Sequence, residues 1–118
     1  MTEKECQEGE IKSEGKCVLP VIFRKWQGRD WKEIVALFPT LPANQYGEIT
    51  SYEHTGQHEG ADYGYVVSTT EPAKPSEYRP LLKELPKIGY KRLKVYKKEN
   101  REMAKARYRT TTRWSRMI

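Results

Sequence analysis

Long hydrophobic runs are missing from this chain. No stretch approaches the roughly 20 apolar residues that cross a bilayer as a helix. The first ten residues, MTEKECQEGE, are acidic and lack the apolar region of a secretory signal, so the expected compartment is the cytoplasm. Cysteine is scarce: Cys6 and Cys17 stand alone. Their C-x10-C spacing is too wide for a zinc knuckle. A reducing cytosol would leave both as free thiols, and one disulfide becomes possible only in an oxidising setting. Nucleophile-elbow, Walker and dinucleotide-binding signatures are also absent, which removes the commonest sequence-readable enzyme classes. Apolar residues make up 36% of the chain and charged ones 32%. That is lean beside the roughly 45–50% apolar, glycine included, of ordinary domains. One compact centre with polar ends is the expected organisation.

Residues 1–16 are polar and without periodicity, and are expected to be disordered. CVLPVIFRKW (17–26) is β-branched and aromatic and reads as a strand, with Pro20 marking its start or an edge. After the QGRD turn signal, WKEIVALFPT (31–40) reads as a second strand ended by Pro39, able to pair with the first as an antiparallel hairpin. GEITSYEH (47–54) alternates, with Ile49 and Ser51 on one face and Thr50 and Tyr52 on the other. DYGYVVSTT fits a short helix with Asp62 as N-cap. Ser76 can cap a longer helix with an apolar stripe of Tyr78, Leu81, Leu82, Leu85 and Ile88. Pro86 should kink or tighten its last turn and Gly89 should stop it. KRLKVYKK (91–98) reads as a last strand at a lysine-protected edge. The fold class is therefore α+β: a small, mainly antiparallel sheet of about four strands, covered on one face by one or two helices, with flexible termini. The domain would span 17–98, followed by a basic tail at 99–118 that is partly helical and frayed.

Both histidines of the chain lie in SYEHTGQHEGADY (51–63). His54, His58 and Asp62 are four residues apart, with Gln57 and Glu59 beside them. On one helix they would share a face and could hold a metal. Gly56 and Gly60 oppose a continuous helix, each costing about 1 kcal/mol against alanine. A strand end, a glycine loop and a helix starting at Asp62 form the better reading. That arrangement gathers backbone N–H groups where an anion can sit, with His54 and His58 as donors or as acid and base. His54, Gln57, His58 and Asp62 are thus candidate ligand-binding residues, and His54, His58 and Asp62 candidate catalytic ones. Against this, Asp62 as a plain cap and the histidines as turn residues need no function at all. No cofactor or resident metal is expected.

The blocks ALFPTLPA, SYEHTGQHEGADY and STTEPAKPSEYRPLLKELPKIGYKRLKVY resemble a family of small uncharacterised proteins met on bacteriophages, plasmids and other mobile elements. The resemblance covers about residues 21–97. It implies an accessory role on a mobile element and no particular chemistry.

Charge is unevenly divided. Residues 91–118 hold eleven Lys/Arg against two Glu, whereas the first 90 hold eleven against fourteen Asp/Glu. The cations are interleaved with Tyr90, Tyr96, Tyr108 and Trp114. Cations attract phosphates and rings stack on exposed bases. Lys91, Arg92, Lys97, Lys98, Arg101, Lys105, Arg107 and Arg109 are the candidate phosphate contacts, with Trp114 or Tyr108 stacking. Binding of nucleic acid, or of a complex that carries it, is the first functional expectation. An anionic, nucleotide-like ligand or enzymatic site at the histidine loop is the second. The third is an inhibitor of a host protein, in which case an acidic protein surface would meet the tail.

Overall fold

In a computed structural model of the chain, residues 6–26, 33–44, 48–53 and 58–116 are described, the side chains of 58, 59 and 113–116 excepted. His54 and Gln57 lie outside them. Among the described residues seven strands join into one sheet: β1 (Ile11–Ser13), β2 (Lys16–Trp26), β3 (Ile34–Pro42), β4 (Ile49–Glu53), β5 (His58–Ala61), β6 (Thr70–Pro72) and β7 (Leu93–Tyr96). The helices are α1 (Tyr63–Thr69), α2 (Pro75–Glu84) and α3 (Arg101–Arg116), with a 3-10 turn at Leu85–Ile88. The α+β class and the mainly antiparallel pairing agree with the sequence; the strand number, seven rather than about four, does not.

The extra strands, β1, β5 and β6, are short pieces that carry little periodicity of their own; β5 pairs with β4, and β1 and β6 find room because β2 is long. Its 11 residues pair with β1, β3 and β6 antiparallel and with β7 in parallel. β1 lies in the segment expected to be disordered. A tight turn through Glu14 (φ 53°) and Gly15 (φ 80°) returns it onto Lys16–Val18. Positive φ at both central residues is what a two-residue hairpin turn requires. Ile11 then supplies one buried side chain from that otherwise polar segment.

Two prolines break the expected boundaries for one shared reason. The β2–β3 register, Ile22 opposite Leu37, would place Pro20 opposite Pro39. The ladder ends before reaching them, and the β3–β4 register shifts between Phe38 and Pro42. Neither proline therefore owes the ladder an N–H, and both stay fully buried inside strands that continue past them.

The sheet is covered on both faces rather than one. On the first, Leu19, Val21, Phe23, Ala36, Phe38 and Tyr52 pack beneath Leu81 and Leu85 of the α2 layer. On the second, Ile22, Val35, Leu37 and Ile49 pack with Val66 of α1. Met103 and Ala106 of α3 meet Ile11 and Val18. Alternation along β4 runs as read, Ile49 toward α1 and Tyr52 toward α2.

Asp62 caps α1, and Arg24 closes its other end. Buried on β2, Arg24 donates to the carbonyls of Val67 and Thr70 and to Thr70 Oγ1 at 2.9, 2.7 and 2.9 Å. This places a cation against the helix C-terminus, where the dipole favours it. Burial pushes its pKa down, partly offset by Tyr63 and Glu71. α2 begins two residues earlier than Ser76 would set it. Lys74 is the N-cap, and the Glu77 carboxylate accepts from the Lys74 N–H at 2.9 Å. Pro80 consequently falls inside the helix. Pro86 tightens the chain into the 3-10 turn, whose threefold period swings Ile88 off the apolar stripe to 43% exposure. Gly89 then terminates it at φ 114°.

Gly9 shows how closely the N-terminal hairpin is fitted. Its φ is 89°, its carbonyl accepts from Thr40 Oγ1, and a Cβ there would collide with Leu41 Cδ2. Replacing Gly9 by alanine should destabilise the protein by about 2–4 kcal/mol, from left-handed strain plus overpacking. Urea unfolding would read this as a lowered midpoint at unchanged slope.

A candidate nucleic-acid interface on the third helix

The basic tail is not a loose extension. α3 starts where Asn100 Oδ1 accepts from the Met103 N–H at 2.9 Å. It then presents Met103, Ala106 and Thr110 to the sheet, all buried. Positions three and four apart share a helix face, so burial at 103, 106 and 110 forces Arg101, Lys105, Tyr108 and Arg109 outward. All four are exposed, Tyr108 at 73%. Lys97 and Lys98, in the link from β7, are exposed as well.

Tertiary structure sorts the candidate cations into two groups. Arg107 is turned inward, where it donates to the Pro39 carbonyl at 2.6 Å and is ion-paired with Glu99. Arg92 pairs with Glu10 at 2.8 Å. Both cations are thus held by carboxylates of the fold, Arg92 at the surface and Arg107 half-buried. Lys97, Lys98, Arg101, Lys105 and Arg109 meet no carboxylate among the described residues. Lys91 is exposed beside Arg92. Trp114 belongs to α3 by its backbone. Sequence reading missed a second row, Arg79, Lys83 and Lys87, exposed on the outer side of α2 and its 3-10 turn. Its signal was available in the i, i+4, i+8 spacing opposite the apolar stripe.

The histidine constellation is only partly placed. His58 stands opposite Tyr52 in the β4–β5 register, and Asp62 lies beyond the end of β5. Asp62 Oδ1 accepts from the Tyr65 N–H at 2.9 Å, a plain N-cap. Asp62→Ala should therefore cost about 1 kcal/mol in a thermal or urea melt, while Asp62→Asn, which preserves the acceptor, should cost a few tenths.

Cys6 and Cys17, which the sequence left open between free thiols in a reducing cytosol and one disulfide in an oxidising setting, are joined in a disulfide. With Glu10 they form the single cluster of possible metal ligands found among the described residues. The sulfurs are already bonded, and Glu10 is taken up by Arg92 and by the Gln7 N–H at 2.8 Å. That cluster is accounted for without a metal. The neighbouring concavity, about 460 Å³ and lined in part by Glu10, Leu19, Tyr90 and Arg92, has two of its charges paired with each other. Burial raises the pKa of Tyr90 there, with Tyr52 adding to it. Among the described residues no helix is long and apolar enough to cross a membrane.

Comparison with protein families, with curated proteins and with solved structures found no match to this chain.

Proposed function

We propose that this protein binds nucleic acid, or a complex that carries it, through the outer face of α3. The observation that carries this reading is the division of the cations. Those that brace the fold, Lys25, Arg92 and Arg107, are neutralised by Glu71 and Glu77, by Glu10 and by Glu99. The five along Lys97–Arg109 are exposed and have no carboxylate among the described residues. Three of the five stand on α3 and two on the link that leads into it; an array of unpaired cations held in this way suits a phosphate backbone, and contacts of that kind position a protein without reading sequence. The accessory role on a mobile element implied by the sequence blocks belongs to the same proposal, as does a host-cell cytoplasm, where a reducing environment would open the Cys6–Cys17 bond.

The test is the triple variant Arg101→Gln/Lys105→Gln/Arg109→Gln, compared with the unaltered chain by fluorescence anisotropy on a labelled oligonucleotide. Weakened binding at unchanged thermal stability supports the reading. Equal affinity of the two proteins overturns it. So does binding to an acidic protein surface with none to the oligonucleotide.

A further inference from the structure

β6 and β7 both pair with β2, β6 at Arg24–Trp26 and β7 at Leu19–Ile22. Phe23 is left between them, and a cavity of about 210 Å³ opens there at the sheet edge. Phe23, Tyr78 and Tyr96 line it with Pro72, Ala73 and Lys97. The rings of Phe23 and Tyr78 are already stacked, with centroids 4.5 Å apart and planes 9° from parallel. The Lys94 ammonium lies 5.4 Å from the Tyr96 ring centroid.

Resting on the nucleic-acid reading above, we infer that this cavity takes one unstacked nucleobase, and that the preferred partner is accordingly a single strand. The volume falls below the about 300–1,000 Å³ that encloses whole drug-sized ligands, and suits one planar ring. Rings and prolines provide flat apolar walls, and a base inserted beside a preformed stack pays no cost for organising it. Charge complementarity selects the occupant. Lys97 is part of the wall, and the chain runs from it directly through Lys98 to Arg101, all three unpaired with carboxylates among the described residues. A strand with a base in the cavity would carry its flanking phosphates onto these cations. Glu71 and Glu77, the carboxylates flanking Pro72 and Pro75 in sequence, share Lys25 at 3.0 and 2.8 Å, and Arg24 interacts electrostatically with Glu71, so their repulsion of a phosphate is reduced. A duplex keeps its bases stacked and cannot use the cavity.

The experiment compares an oligothymidine single strand with a duplex of equal length by anisotropy at one salt concentration. Tyr78→Leu removes a ring while keeping an apolar side chain, and Ala73→Leu fills the cavity. Each should weaken single-strand binding about tenfold and leave duplex binding and the salt slope unchanged. In the unaltered chain, NMR ring signals of Tyr78 and Tyr96 should shift with the single strand and not with the duplex, a readout independent of any variant's folding. If both nucleic acids bind, but the ring signals stay still and the variants bind as before, the cavity inference alone is overturned. If neither binds at all, the interface on α3 falls with it. Displacement of the single strand by a proline-rich peptide, with loss of the ring shifts, would give the cavity to a protein partner and overturn the inference as well.

Discussion

Raising salt from about 50 to about 200 mM should weaken binding to duplex DNA about 500-fold and to a single strand about 100-fold, if all five unpaired cations meet phosphates. The cause is counterion release. Each neutralised phosphate frees condensed cations, so the logarithm of affinity falls by about 0.9 per contact on duplex and about 0.7 on single strands for each decade of salt. Lys97, Lys98, Arg101, Lys105 and Arg109 are the five, being the exposed cations without a carboxylate partner on α3 and the link that leads into it. Arg107 should contribute nothing to the slope, being held by Glu99 and the Pro39 carbonyl. Replacing Arg101, Lys105 and Arg109 by glutamine should lower the slope by about two to three. Arg107→Gln should leave the slope alone and lower stability instead, since it strips a partner from a half-buried carboxylate. A flat salt profile in the unaltered chain, or a slope that responds to Arg107 as strongly as to Lys105, would contradict the assignment.

Reducing the Cys6–Cys17 bond, or replacing both residues by serine, should lower unfolding free energy by about 3 kcal/mol, the value for a closed loop of this length. In a chain of this size that corresponds to a melting temperature lower by about 10–15 °C. The bond closes the hairpin that carries β1. Ile11 packs on Met103 and Ala106, Gly9 receives Thr40, and Glu10 holds Arg92. Loosening that hairpin uncovers one side of the seat of α3. Amide exchange along Met103–Thr110 should therefore accelerate on reduction more than exchange in β4, which β2 and β3 separate from β1 in the sheet. A melting temperature unmoved by a thiol reductant would show that the remaining contacts hold the hairpin unaided. The same thiol titration, run on protein purified without reductant, states which redox form the chain carries.

The two predictions are linked through α3. Its outward cations have a fixed spacing only while Met103 and Ala106 stay seated, so losing the disulfide should also weaken oligonucleotide binding at temperatures where the oxidised form is intact. A helix ordered before binding pays less entropy on association than a disordered basic tail.

Much of this was legible from local pattern. The alternation of ITSYE, Asp62 as a cap, the stripe through Tyr78, Leu81, Leu82 and Leu85, and Gly89 as a stop each follow from backbone geometry within one turn or one strand. The lysine-protected strand at 91–98 also emerged at an edge, pairing among the described residues with β2 alone. The excess of cations after residue 90 was visible by counting. What the chain alone determined was thus its α+β class, most of its elements and where its positive charge lies.

Decisions that depend on residues distant in sequence were made only by the tertiary structure. Ile11 has no periodic neighbours to announce a strand, and it is buried because α3, about ninety residues away, needs a floor. Pro20 and Pro39 look like strand breakers until the register shows that the ladder never asks them for an N–H. Cys6 and Cys17 are two thiols by composition and one bond once the hairpin brings them together. Arg107 and Arg109 are indistinguishable as letters; one helical turn against Pro39 and Glu99 makes the first a brace and leaves the second facing solvent. Local sequence sets how a segment folds, whereas the partner of each side chain is set by which segments the core brings together, and that is a property of the whole chain.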